Sequence, residues 1–148
     1  MKVLEIEALE FAACVKPGDR IAWGQAGAEP LALTQTLMAQ RAAIGRFSAF
    51  IGITWSDIAN PGHADHVRFT SYCGAGHNRR LAKAGLLDVL PCHYSQLPDM
   101  IRTGRLKIDV LMLQVAGWLT ATSLRIDPLV AKLVTPATTQ PDKRIIKE

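Results

Sequence analysis

Short apolar segments alternate with glycine turns and helix-forming segments along this chain, and this order is the strongest constraint on its fold. Strands separated by helices at this pace indicate parallel pairing through right-handed crossovers. The sequence therefore predicts an α/β fold with an open, mainly parallel sheet flanked by helices. The predicted strands are Ile21–Trp23, Phe47–Ile53, Val67–Ser71, Asp88–Leu90 and Ile108–Val115.

Helical spacing of apolar residues predicts the segments between these strands. An amphipathic helix is expected over about Leu4–Ala12, and a second helix runs from Pro30 to about Ala43 with proline in its first turn. A third helix follows the N-cap Asn78 and runs through Ala84, and a fourth covers Gln96–Arg102. Helices therefore alternate with the strands over most of the chain.

The composition changes near residue 115, where a segment rich in threonine and proline begins. We predict a domain over residues 1–115 and a partly ordered tail over residues 116–148. In the tail, Leu129–Val134 suits a helical turn or an edge strand, and the end after Pro136 is expected to fray.

Composition excludes several classes of protein. The net charge of +4 comes from basic residues scattered among acidic ones, so no nucleic-acid partner is predicted. The longest uncharged stretch, Val110–Leu124, is too short and too polar to span a membrane. The acidic start of the chain is unlike a secretory signal, so a cytoplasmic location is expected. Three cysteines without a C-x-x-C pair suit reduced thiols.

Three loops that follow predicted strands carry the residues suited to binding a ligand, because ligands of open α/β sheets bind beyond the carboxyl ends of the strands. The loop Gly24–Pro30 is either an anion-binding loop before a helix or only a tight turn that needs glycine. The loop Ser71–Arg80 offers amides, a hydroxyl and guanidinium groups to an anion. The third loop is Pro91–Ser95.

Histidines and cysteines give weaker signals for chemistry. Cys92 and His93 are adjacent, and neighbours on an extended backbone point to opposite sides, so a buried thiol is favoured over a thiolate–imidazole pair. His63 and His66 lack the further ligands of a metal site, and no metal is predicted. His93 is expected to be partly exposed beside Gly74–Gly76, either facing a substrate carboxylate or bonded structurally to a backbone carbonyl.

Several of these strings, taken together, resemble the amino-terminal half of the acetyl-CoA hydrolase/transferase family. This family includes acetate, succinyl and 4-hydroxybutyrate CoA-transferases. The resemblance covers about residues 15–115. The strings that carry it are Val15–Arg20, Gly24-Gln25 with Glu29-Pro30, Arg68–Tyr72 with Gly74–Gly76 and Asn78–Leu81, Asp88–Ser95, and Asp109-Val110 with Gln114-Val115.

The resemblance implies a class I CoA-transferase domain whose active site lies in a cleft shared with a second, similar domain. In that family a glutamate attacks the acyl-CoA thioester, and CoA then passes to a small carboxylate through a glutamyl-CoA intermediate. Coenzyme A would be a co-substrate, and no cofactor is implied. The residues that the resemblance carries over to substrate binding are Gly24, Gln25, Ser71, Gly74, Gly76, Asn78, His93 and Tyr94.

The family's nucleophilic glutamate belongs to a carboxy-terminal half that this sequence does not contain. Glu29 is the only glutamate near a strand end, where it suits the turn or the following helix N-terminus. We therefore expect no catalytic residue in this chain, negligible turnover by the chain alone, and association with itself or with a partner that carries the missing half. The alternative is a non-catalytic module that binds a small anion or serves in assembly.

Overall fold

A six-stranded sheet in which all neighbouring strands are parallel forms the centre of the computed structural model, which describes residues 8–114 and the backbone of residues 144–147. The order across the sheet is β4-β3-β2-β1-β5-β6. The predicted α/β fold with a parallel sheet is confirmed. The strands are β1 (Arg20–Trp23), β2 (Phe47–Ile51), β3 (Val67–Ser71), β4 (Leu87–Val89), β5 (Val110–Leu113) and β6 (Arg144–Lys147).

The chain lays down strands outward from β1 to β4 and then returns to the other side of β1 for β5. Connections from neighbouring strands β1 and β5 therefore diverge at this point of the sheet. Such a switch point opens a crevice at the carboxyl ends of the two strands. The topology alone thus marks the carboxyl end of β1 as the place for a ligand.

Within residues 8–114, four α-helices lie between the strands: α1 (Leu31–Ala39), α2 (Arg41–Ile44), α3 (Asn78–Lys83) and α4 (Leu97–Arg102). The prediction of one continuous helix from Pro30 to Ala43 is wrong, because the helix ends at Ala39 and a short one begins at Arg41. At the break, the Gln40 amide accepts a 2.8 Å hydrogen bond from Phe11 N and donates one of 2.8 Å to Leu9 O. Gln40 thereby satisfies backbone groups of the segment that precedes β1.

The N-terminal helix predicted over Leu4–Ala12 lies mostly outside the described residues. Within them, Phe11–Ala13 forms one turn of 3-10 helix, and Phe11 is fully buried. Similar single turns of 3-10 helix follow at Ala26–Ala28, Pro61–His63 and Tyr94–Gln96. All three lie in loops after strands.

Apolar side chains cover both faces of the sheet. Alternate residues of one strand point to opposite faces, so Ile21 and Trp23 pack with α1 and α3 while Ala22 packs with α4 on the other face. In β5 the same alternation divides Val110 and Met112 from Leu111 and Leu113, and all four are buried. Burial on both faces explains why this strand is continuously apolar.

The end of the chain differs from the expectation of a frayed tail after Pro136. The backbone of β6 pairs with β5 in parallel register, from Val110 opposite Arg144 to Leu113 opposite Lys147. A sheet edge has unpaired N–H and C=O groups that a strand can satisfy, and β6 does this for β5. The predicted element Leu129–Val134 lies outside the described residues.

Candidate functional site

The loops after β1, β2, β3 and β4 meet at the carboxyl edge of the sheet because these strands are parallel. We call this edge the candidate site. The sequence-predicted residues that it brings together are Gly24, Gln25, Ser71, Gly74, Gly76, Asn78, His93 and Tyr94. Their individual surroundings separate side chains that hold the loops together from groups that remain open to a ligand.

The loop after β1 is tightly folded. Gly24 is buried, and a Cβ added there would overlap the backbone carbonyl of Ala28, so the turn requires glycine. Gln25 follows, and its Oε1 accepts hydrogen bonds from the Tyr72 hydroxyl at 2.7 Å and from Ile53 N at 3.3 Å. Gln25 thus fastens the first loop to the loops after β2 and β3.

Asn78 is fully buried and connects the loop after β2 to the end of β3. Its Nδ2 donates to Gly52 O at 2.7 Å and to Ser71 Oγ at 3.4 Å, and its Oδ1 accepts from Thr54 Oγ1 at 2.6 Å. The prediction of Asn78 as an N-cap is wrong, because His77 occupies that position and Asn78 is the first residue of α3. The buried Gly52 carbonyl needs a donor, and the Asn78 side chain supplies it.

The glycine loop after β3 leaves backbone donors open. The N–H groups of Gly74 and Ala75 donate to no acceptor among the described residues. Gly76 has a φ of +61°, and a Cβ on it would lie 2.6 Å from Thr54 O, so this residue is also restricted to glycine. Two adjacent free amides held by a restricted turn can bind an oxyanion.

The loop after β4 carries an exposed histidine and one ring of an aromatic pair, whose other ring lies in the loop after β3. The rings of Tyr72 and Tyr94 pack edge to face with centroids 5.6 Å apart. His93 is exposed, as the sequence predicts, and its Nδ1 accepts from Ser95 N at 3.3 Å and contacts Ser95 Oγ at 2.7 Å. Its backbone N–H donates to Gln96 Oε1, which completes a capping box.

This geometry combines the two roles that the sequence left open for His93. Nδ1 serves a structural cap, although its partner is a backbone N–H and not a carbonyl. Accepting that hydrogen bond assigns the ring proton to Nε2. Nε2 has no partner among residues 8–114 and can donate to a ligand.

Glu29, in the loop after β1, has an environment that the sequence does not reveal. It is only 4% exposed, and its Oε1 accepts a 2.9 Å hydrogen bond from Ser56 Oγ. Burial raises the pKa of Glu29, while hydrogen bonding with Ser56 opposes this rise. Glu29 precedes Pro30, the N-cap residue of α1, and no side chain caps this helix by a hydrogen bond. A lone glutamate in a loop carries no signal that separates burial from exposure.

Within the part of the chain that is described, no three His, Cys, Asp or Glu side chains come together as a metal site, and no helix there has the length and apolarity to cross a bilayer. His63 Nδ1 lies 3.0 Å from Ile58 O, and His66 Nδ1 lies 3.2 Å from Asp65 Oδ2. Cys92 is half-buried, and desolvation raises the pKa of its thiol. These environments suit structural side chains.

The parallel sheet, the switch point and the loop groups define an α/β domain of the class that binds ligands at the carboxyl edge. A family model described as the acetyl-CoA hydrolase/transferase N-terminal domain matches residues 2–135. The chain belongs to this family. The family match runs past residue 115, the predicted end of the first domain. The domain boundary at residue 115 stays a prediction. No curated protein sequence matches the chain.

Solved structures with the same fold include RipA from Yersinia pestis. RipA matches with a TM-score of 0.60 and 20% identity over 70% of this chain, and the structure of a RipA mutant matches with a TM-score of 0.63 and 21% identity over 74%. The chain spans 27% of the length of either. A 4-hydroxybutyrate CoA-transferase from Porphyromonas gingivalis gives a TM-score of 0.43 and 22% identity, covering 74% of this chain and 23% of its own.

Proposed function

We propose that this domain takes part in acyl-CoA chemistry, either CoA transfer to a small carboxylate such as acetate or acetyl-CoA hydrolysis. Membership of the acetyl-CoA hydrolase/transferase family is the observation that carries the proposal. Coenzyme A is a co-substrate in this proposal. The domain contributes substrate-binding groups, and the nucleophile comes from elsewhere.

The open groups of the candidate site support a role in binding the acyl or carboxylate part of the substrate. The free N–H groups of Gly74 and Ala75 can hold the oxyanion that forms when a thioester is attacked. His93 Nε2 and the neighbouring Tyr94 ring lie in the loop after β4. An oxyanion or a carboxylate has the charge that these donors favour.

The described glutamates support a nucleophile from outside residues 8–114. Glu29 is buried against Ser56, so its carboxyl group is not presented to a thioester. Glu10 is exposed, but its neighbours Leu9 and Phe11 bond Gln40 at the end of α1. Because α1 leads back from the carboxyl edge, Glu10 lies near the amino edge of the sheet. In this proposal the nucleophile therefore lies outside residues 8–114, in a second domain that faces the candidate site.

Exposed apolar side chains near Glu29 support contact with such a second domain. Trp55 is 66% exposed and Leu31 is 48% exposed. Large exposed aromatic side chains are common where proteins associate. Trp55 lies in the loop after β2, so a domain that covers it would also face the candidate site.

A cytoplasmic location stays a prediction.

A thioester-release assay tests this function. The purified chain is mixed with acetyl-CoA and a carboxylate acceptor, and CoA release is measured. We expect negligible turnover, because removing a catalytic nucleophile typically costs several powers of ten in rate. The assay is then repeated with the carboxy-terminal half of a family member added, and turnover is expected to appear.

Variants distinguish this proposal from its competitors. With the added half, Gly74→Pro removes one amide donor and should lower the turnover. Gly74→Ala is the matched control, because it keeps the N–H group and its Cβ would meet only the Ala82 Cβ at 3.4 Å. Turnover by the chain alone that disappears in Glu29→Gln would place the nucleophile in this domain and contradict the proposal. Binding of acetate without turnover in any mixture would favour the non-catalytic anion-binding module.

A further inference from the structure

The opposite edge of the sheet contains a cavity that the proposed function does not use. It has a volume of about 460 Å³ and is formed at the amino ends of β2, β3 and β4. A small-molecule ligand typically occupies a pocket of about 300–1,000 Å³. The polar and charged residues that line it are Arg46, Ser48, Asp65, His66, Arg68 and Asp88.

Strand register places several of these side chains on one wall. Ser48 lies opposite Arg68 in the parallel β2–β3 pair, and Phe47 lies opposite Val67. Alternation along each strand then puts Arg46 and Ser48 on the same side as His66 and Arg68. Two guanidinium groups from neighbouring strands therefore border a single cavity.

The acidic residues of the cavity already have partners. Asp65 receives two hydrogen bonds from Arg41, from Nε at 2.8 Å and from Nη2 at 3.1 Å, and Arg41 does not line the cavity. Asp88 accepts from Arg68 Nε at 2.6 Å. Both carboxylates are thus compensated by arginine side chains.

Arg46 is the charge that remains uncompensated. Its guanidinium group makes no hydrogen bond or ion pair with any residue from 8 to 114. Arg68 can also turn to a ligand, because it is 75% exposed and its ion pair with Asp88 is of the exposed kind that contributes little. The lining carries two arginines and two aspartates, and because Arg41 from outside the lining pairs with Asp65, one positive charge remains in excess. The arginine donors have a forked geometry.

We propose that this amino-edge cavity binds the phosphate group of a small phosphorylated molecule. Two guanidinium groups can share the oxygens of a tetrahedral dianion, whereas a carboxylate offers two oxygens and a single charge. Ser48 and His66 add a hydroxyl and an imidazole to the same wall. Since the cavity lies across the sheet from the candidate site, an occupant leaves that site open, and the proposal does not depend on the acyl-CoA function.

Titration of the full chain with inorganic phosphate at constant ionic strength tests the proposal. Binding is measured by calorimetry, and backbone amide shifts in NMR locate it. We expect shifts to concentrate in residues 46–48 and 64–68. Arg46→Gln should weaken binding about tenfold, since a hydrogen bond to a charged group contributes at least one such factor.

Two further variants control for charge and folding. Arg105→Gln removes an exposed arginine before β5 that does not line the cavity and that, among the described residues, bonds only Thr103 Oγ1, at 3.4 Å. This variant should bind phosphate like the original chain. Arg46→Lys keeps the charge and should bind better than Arg46→Gln.

Four results would overturn the proposal. The first two are absence of any phosphate binding by the folded chain and equal weakening by Arg105→Gln and Arg46→Gln. The others are amide shifts confined to residues 74–78 and binding of acetate as tight as that of phosphate.

Discussion

The buried amide of Asn78 gives the sharpest test of how the candidate site is held together. Asn78→Ala removes the donor to Gly52 O and the acceptor of Thr54 Oγ1, which lie 2.7 Å and 2.6 Å from the amide. Leaving a buried polar group without a partner costs about 1–3 kcal/mol. Two such groups and the lost side-chain volume together predict a loss of about 4 kcal/mol in the free energy of unfolding.

Urea denaturation of the full chain measures this loss, with Asn60→Ala as the matched control. Asn60 also accepts a hydrogen bond, from Gly62 N at 2.9 Å, but it is only half-buried. Removing this cap should cost about 1 kcal/mol. Thr54→Val should cost about 1–2 kcal/mol. The Thr54→Val/Asn78→Ala double variant should lose less than the sum, since both single changes break the same bond.

A free energy of unfolding for Asn78→Ala within about 1 kcal/mol of the original chain would refute this reasoning, because it would mean that water or a shifted side chain satisfies the Gly52 carbonyl. Additive losses in the double variant would refute it in another way. They would show that the Thr54 hydroxyl and the Asn78 amide do not share a stabilising bond. The network could then not position the loops after β2 and β3.

Three further changes test other parts of the same edge. Burial raises the pKa of Glu29 above 4.5 in the folded protein, so the folded state keeps a proton that the unfolded chain releases, and the free energy of unfolding falls as pH rises from about 4.5. Glu29→Gln should remove this part of the pH dependence. A stability difference between the variant and the original chain that does not change with pH would contradict the prediction. In urea denaturation, Gly76→Ala should lower the free energy of unfolding by at least about 1 kcal/mol more than Gly85→Ala does. Both glycines have positive φ, but only at Gly76 would the added Cβ clash with a backbone carbonyl, that of Thr54. Equal losses would contradict this. His93→Ala should lower thermal stability by about 1 kcal/mol and His93→Asn by less, if the ring nitrogen caps Ser95 N.

Local sequence patterns predict the positions of strands β1 to β5, because a few apolar residues in each strand form a recognisable pattern. The predicted Val67–Ser71 matches β3, and Ile21–Trp23 differs from β1 by one residue. The prediction Phe47–Ile53 overran β2 because Gly52 and Ile53 are apolar but lie in the loop, where Asn78 and Gln25 bond their backbone groups. An apolar residue in a loop and one in a strand look alike until the partner is known.

The features that the sequence did not predict depend on partners distant in the chain. Gln40 ends α1 by bonding residues about thirty positions earlier, and Asn78 turns inward to Gly52, which lies 26 positions away. The pairing of β6 with β5 likewise joins residues that are distant in the chain, such as Val110 and Arg144. Residue type at Asn78 suits both a helix cap and a buried crosslink, so only the three-dimensional arrangement decides between them.

The candidate site divides its polar groups between holding the loops and meeting a ligand. Three side chains bond a loop other than their own. Gln25 bonds Tyr72 in the loop after β3, while Asn78 and Glu29 bond Gly52 and Ser56 in the loop after β2. These side chains are therefore occupied, although residue type alone makes them attractive ligand groups. What they fix in place is the glycine turn whose amides remain open. Fixed donors need little reorganisation when negative charge develops, so the hydrogen bonds of Gln25 and Asn78 support the open backbone amides by holding the loops around them.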